Sequence, residues 1–176
     1  MKTLVIHPKD ITTDFLSIIY LNRDWTIINS NVSNEYLKNE IKNHDRIIML
    51  GHGNDKGLLG FNRLLIDSSF VYLLKKKYTI CIWCNSDQFV DKYKLKGFYT
   101  GMIISEYEEA INYCVRCDSE ELLESNLLFA NVIKKYIDDI DMLNKVKLHY
   151  GSMNNNVILF NRENLYYSLV GEISLN

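Results

Sequence analysis

Short clusters of β-branched and other apolar residues recur along this chain, and most are followed by a segment of helical period. That alternation constrains the fold more than any other feature, because it is the signature of an α/β protein with a largely parallel sheet. Strands are expected over residues 2–7, 24–29, Arg46–Leu50, 78–83, 97–104 and 156–160. Arg46-Ile-Ile-Met-Leu50 is apolar on both faces behind its leading charge, as a central parallel strand should be. Helices are expected after Thr12 or Thr13 (with Phe15, Leu16 and Ile19 buried), from Ser33 to about residue 43, over 70–74 behind Asp67 or Ser68, and over 106–113. Two more are expected: one over 119–138, opened by an Asp118/Glu121 capping box with Leu123, Leu127, Ala130, Ile133 and Ile137 facing the core, and one over 163–169. Gly57–Gly60 and Arg63–Ile66 read as a small hairpin.

Composition narrows the class. A length of 176 residues suits one domain, and 47% hydrophobic against 24% charged residues argues against disorder. A net charge of −2 supplies no basic field to draw the chain onto nucleic acid or anionic lipid, so neither is expected as a partner. The apolar runs fall short of the roughly 20 residues that span a bilayer. The stretch up to Pro8 is too short, and lacks a small-residue cleavage site, to read as a signal peptide. A cytoplasmic location with four reduced cysteines is therefore expected.

In an open parallel sheet, ligands bind outside the carboxyl ends of the strands. There the sequence places His7, Asp10, Thr12 and Thr13 after the first strand and His52 and Gly53 after the third. Cys84, Asn85, Ser86 and Asp87 follow the fourth, and Ser105 and Glu106 the fifth. A thiol and an imidazole at the ends of neighbouring strands suit acyl transfer: Cys84 attacks, His52 moves the proton, and the Gly53 N–H helps hold the oxyanion. Asp10, Asp87 and Glu106 are the acidic candidates for a substrate pocket, with helix capping or solvated turns as their simpler roles.

The rival constellation is zinc on Cys81, Cys84, Cys114 and Cys117. The gap between its two halves is longer than usual for such a site, and strand alternation points Cys81 and Cys84 to opposite faces. No metal ligand and no cofactor are assigned.

Three stretches carry a resemblance: Arg46-Ile-Ile-Met-Leu-Gly-His-Gly53, Gly57-Leu-Leu-Gly60 and Thr79-Ile-Cys-Ile-Trp-Cys-Asn-Ser86. An apolar strand ending in His-Gly, a hairpin and helix, then an apolar strand ending in Cys resembles the caspase-like superfamily of cysteine peptidases, which includes clostripain, gingipains, separase and the CHAT domains. The resemblance implies a single caspase-like domain over residues 1–176, a three-layer α/β/α sandwich with a mostly parallel six-stranded, Rossmann-like sheet. It implies Cys84 as nucleophile, His52 as catalytic histidine, and the backbone N–H groups of Gly53 and Cys84 as the oxyanion hole. Trp83 stands where these families carry a small residue, and the caspase-type pentapeptide around the cysteine is absent, so caspase specificity is not carried over.

The reading that follows is a cysteine peptidase acting on a peptide or protein. A non-catalytic caspase-like binding module using the same crevice, and a small-molecule hydrolase or transferase built on Asp10 or Glu106, are the alternatives.

Overall fold

Parallel strands buried on both faces must alternate their side chains between two helical layers, and the two cores follow that alternation residue by residue. The structure is a computed structural model that describes residues 1–151 and 154–169. Its elements, in chain order, are β1 (Thr3–Ile6), a 3-10 helix (Asp14–Tyr20), β2 (Thr26–Ile28), α1 (Asn34–Asn43) and β3 (Arg46–Leu50). Next come the small strands β4 (Gly53–Asn54), β5 (Gly57–Gly60) and β6 (Arg63–Ile66), a 3-10 turn (Ser68–Phe70), α2 (Val71–Leu74), β7 (Tyr78–Ile82) and α3 (Ser86–Tyr93). The chain continues through β8 (Lys96–Thr100), α4 (Tyr107–Asn112), α5 (Ser119–Tyr136), α6 (Met142–Tyr150), α7 (Asn156–Glu163) and β9 (Leu165–Ser168).

Six strands form one sheet in the order β2-β1-β3-β7-β8-β9, with β9 antiparallel to β8 and every other pair parallel. Leu4, Ile6, Ile47, Met49, Cys81 and Trp83 pack on one face against Leu37, Ile41, Phe70 and Phe89 of the α1–α3 layer. Val5, Ile48, Leu50, Ile80, Ile82 and Phe98 pack on the other against the first 3-10 helix and α5, α6 and α7. This is the expected α/β architecture: a mostly parallel six-stranded sheet between two helical layers. No helix among the described residues is long and apolar enough to cross a membrane.

Several local expectations are corrected. Residues 156–160 form the start of α7 rather than a strand, because the Asn155 side chain caps the N–H groups of Val157 and Ile158. The sixth strand is instead Leu165–Ser168, where a helix was expected; its Leu-Tyr-Tyr run suits an edge strand. The fifth strand stops at Thr100. There the Gly101 N–H turns to the Asn164 carbonyl and the chain leaves the sheet. The segment after β1 is a 3-10 helix, and Thr13 at its start makes no side-chain cap.

In α5 the capping box forms as expected and Ala130, Ile133 and the C-cap residue Ile137 are buried, but Leu123 and Leu127 are 59% and 41% exposed. Their place toward the core is taken by Ser125, whose hydroxyl meets the Tyr150 phenol at 2.8 Å. The helix ends at Tyr136 rather than residue 138. Helices α3 and α6 had no counterpart in the sequence reading.

Candidate functional site

The paired register of β3 and β7 runs from Arg46↔Tyr78 to Leu50↔Ile82, so the segments leaving these strands emerge side by side. Gly51, at φ 135°, turns the chain sharply off β3 and presents His52. Cys81 of β7 and Trp83 just beyond it face the α1–α3 core, and Cys84 opens to the opposite side. There His52 and Cys84 both line one hollow, walled by Phe15, Leu16, Ile103 and Phe129. Its volume is about 20 Å³, room for about one water molecule.

His52 also forms part of a second, larger groove of about 350 Å³ that runs between Pro8–Asp10 and the β5–β6 hairpin. It is thus the wall between a wide groove and a narrow slot, and Cys84 lies on the slot side alone.

The imidazole is held from the β1 side. Asp10 Oδ1 accepts from the Thr12 N–H at 2.9 Å and the Thr12 hydroxyl at 2.8 Å, and these bonds hold its carboxyl below the usual carboxylate range. Thr12 Oγ1 lies 2.6 Å from His52 Nε2. Thr12 has one hydroxyl proton and gives it to an ionised carboxylate, so the His52 bond must run the other way, with Nε2–H donating. Donor counting therefore assigns neutral His52 the Nε2–H tautomer and leaves Nδ1 as the basic nitrogen.

The thiol is held from the β8 side. The single Cys84 S–H faces two acceptors, the Ile103 carbonyl 3.5 Å and Glu109 Oε1 3.7 Å from Sγ. Burial, with the Glu109 charge adding to it, pushes this thiol up to about 12. Ile103 belongs to the loop between β8 and α4, which Asn161 of α7 clamps: Asn161 Oδ1 accepts from the Ile104 N–H at 2.7 Å, and Nδ2 donates to the Ile104 carbonyl at 2.9 Å.

The N–H groups expected to bind an oxyanion are oriented as follows. The Leu59 N–H bonds to the His52 carbonyl at 2.8 Å, which makes Gly53↔Leu58 a non-hydrogen-bonded pair and turns the Gly53 N–H away from β5. Among the described residues no backbone carbonyl accepts from the Cys84 N–H, whereas the next two N–H groups bond to Gly101 and Trp83. Only glycine fits at position 53, since a Cβ there would lie 2.5 Å from the Trp83 Cγ and 2.7 Å from the Gly57 carbonyl.

The other expected site residues divide. Asp10 lines the larger groove. Glu106 is the residue before α4, close enough for its charge to act on Cys84. Asp87 lies away from both hollows, beside Tyr99 and Tyr166, with its Oδ1 buried and unpartnered. The four cysteines are free, and no cluster of three or more His, Cys, Asp or Glu side chains among the described residues is placed to hold a metal ion.

Two residues were not assigned the roles they take, Thr12 beside His52 and Glu109 beside Cys84. Glu109 carries a readable signal, since Glu106-x-x-Glu109 has the capping-box spacing and forms that box. No protein family, no curated protein and no solved structure matches this chain.

Proposed function

We propose that this chain is a cysteine hydrolase of caspase-like type that cleaves an amide bond in a peptide or protein. The observation that carries the reading is the single hollow shared by Cys84 and His52 at adjacent parallel strand ends. In the working form the Sγ proton passes to His52 Nδ1 as sulfur attacks the substrate carbonyl carbon, and the N–H groups of Gly53 and Cys84 hold the resulting oxyanion. The imidazolium then protonates the leaving amine. Water, deprotonated by the same ring, releases the acyl group and restores the thiol. The Asp10–Thr12 pair orients the ring throughout, supporting the Nε2–H end while Nδ1 works. A slot with room for about one water has to widen for a carbonyl to enter. The chemistry calls for a reduced thiol and therefore a reducing compartment such as the cytosol.

The thiol held protonated against two acceptors favours a second reading, a non-catalytic caspase-like module that binds a peptide through the same crevice. One experiment separates the two. The full chain is incubated with a diverse peptide library and with a peptidyl electrophile, and products and adducts are mapped by mass spectrometry. Cleavage that disappears in Cys84→Ser and in His52→Ala supports the hydrolase. Cleavage surviving both variants, or neither cleavage nor a Cys84 adduct in the wild type, overturns it.

A further inference from the structure

We propose that Glu109 is a positioning residue that holds Cys84 as an unreactive thiol, so that the site is switched on when the Glu109 charge is neutralised or drawn away. This rests on Cys84 being the nucleophile of the hydrolase proposed above. The argument starts from how the carboxylate is divided. Glu109 Oε2 accepts from the Ser105 N–H at 2.8 Å, the Ser105 hydroxyl at 3.2 Å and the Glu106 N–H at 3.1 Å. Those three donors anchor the group and leave Oε1 facing Cys84 Sγ at 3.7 Å.

Both polar partners of the sulfur are acceptors, the carboxylate and the Ile103 carbonyl, so the arrangement favours S–H over S⁻. The charged groups around it act in the same direction. Glu106 and Glu109 flank it from the start of α4, and among the described residues no Lys or Arg lines the hollow. From β3 the facing titratable group is His52, whose Nε2–H is committed to Thr12. The N-terminal amides before α4 would favour a thiolate, but they are spent on Glu109 itself. Activated cysteines sit in electropositive surroundings, and this one sits in an electronegative one.

A capping box alone would account for Oε2 but requires no charge. Glu109→Gln separates the two roles, because its amide oxygen still accepts the cap N–H bonds while the negative charge is gone. The full chain and this variant are treated with limiting iodoacetamide across pH 6 to 11, and labelling of Cys84 is followed against exposed Cys114 as an internal reference. In Glu109→Gln, Cys84 labelling at pH 8 should rise at least about tenfold relative to Cys114, with the pH midpoint falling by about one unit or more. An unchanged Cys84 profile in a folded variant overturns the proposal.

The wild type supplies an independent check if the variant does not fold. Its Cys84 midpoint should lie above that of Cys114, and a midpoint at or below it overturns the proposal equally. Neither readout needs a substrate. Faster Cys84 labelling with no peptide cleavage in any variant would sink the hydrolase and spare the thiol–carboxylate control; cleavage with an unchanged Glu109→Gln profile would do the reverse.

Discussion

Asn161→Ala is the most informative single perturbation of the scaffold behind the site. Asn161 is 1% exposed and sits on α7, yet its amide satisfies both backbone groups of Ile104, itself fully buried, and donates to the Tyr150 phenol at 3.0 Å. Truncation orphans the Ile104 N–H and carbonyl together. At about 1–3 kcal/mol for each buried unsatisfied group, the loss would reach about 2–6 kcal/mol. The vacated amide volume admits roughly one water, which can recover part of it, so about 2–4 kcal/mol is expected. For a chain of this size that corresponds to a drop in Tm of about 5–15 °C. Urea and thermal unfolding followed by circular dichroism measure it, with the denaturant slope unchanged. Because Ile103 accepts from the thiol in the same loop, Cys84 alkylation should quicken as well. A loss under about 1 kcal/mol would mean that the loop finds other partners, and the reasoning fails.

Three further outcomes follow from the same geometry. Cys81 and Cys84 are each pushed up to about 12 by burial, so between the ordinary thiol range near 9 and that value the unfolded chain loses protons that the folded chain keeps. Stability should therefore be intact below about pH 8.5 and fall as pH rises, by up to about 1.4 kcal/mol per pH unit for each thiol, and the slope should shrink in Cys84→Ala. Thr12→Val removes the acceptor of His52 Nε2–H at little cost to stability, and ¹⁵N imidazole shifts should change from a dominant Nε2–H tautomer to a mixture; a wild-type spectrum dominated by Nδ1–H would refute the donor count. Gly53→Ala drives a methyl group into Trp83, which is 2% exposed and fixed by its Nε1–H bond to the Asn54 carbonyl, so thermal unfolding should show a loss of about 2–3 kcal/mol; a wild-type Tm would show that the ring has room.

What the sequence made legible was what depends on short range. Strand clusters such as Arg46–Leu50 announce burial on both faces, Ser33 and Asp118 announce helix starts, and the 57–60 and 63–66 segments pair as their pattern implies. His52 and Cys84 could be put at neighbouring strand ends because β3 and β7 are successive parallel strands joined by one crossover. The errors fall where a tertiary partner overrides local preference. Residues 156–160 have the composition of a strand and become helical under the Asn155 cap, and Ser125 replaces Leu123 and Leu127 inside because a phenol from α6 waits for its hydroxyl. Glu109 was readable as a cap, but not as a neighbour of Cys84. That contact depends on a loop clamped by Asn161, 57 residues further along the chain.

The two members of the proposed dyad are therefore fastened to different loops. His52 is tied through Thr12 and Asp10 to the loop after β1, and Cys84 through Ile103 and Glu109 to the loop after β8, which α7 secures from behind. Each anchor satisfies one of the two groups, and the slot that both line has space for about one water. Closing that gap requires one anchor to yield. The Thr12 bond is short and charge-supported through Asp10, whereas the single thiol proton is shared between two long, weak contacts, so the sulfur is the more weakly held of the two. In the proposed hydrolase, control of the site then belongs on the side of β8 and α4, where the Glu109 carboxylate adds to burial in keeping the sulfur protonated.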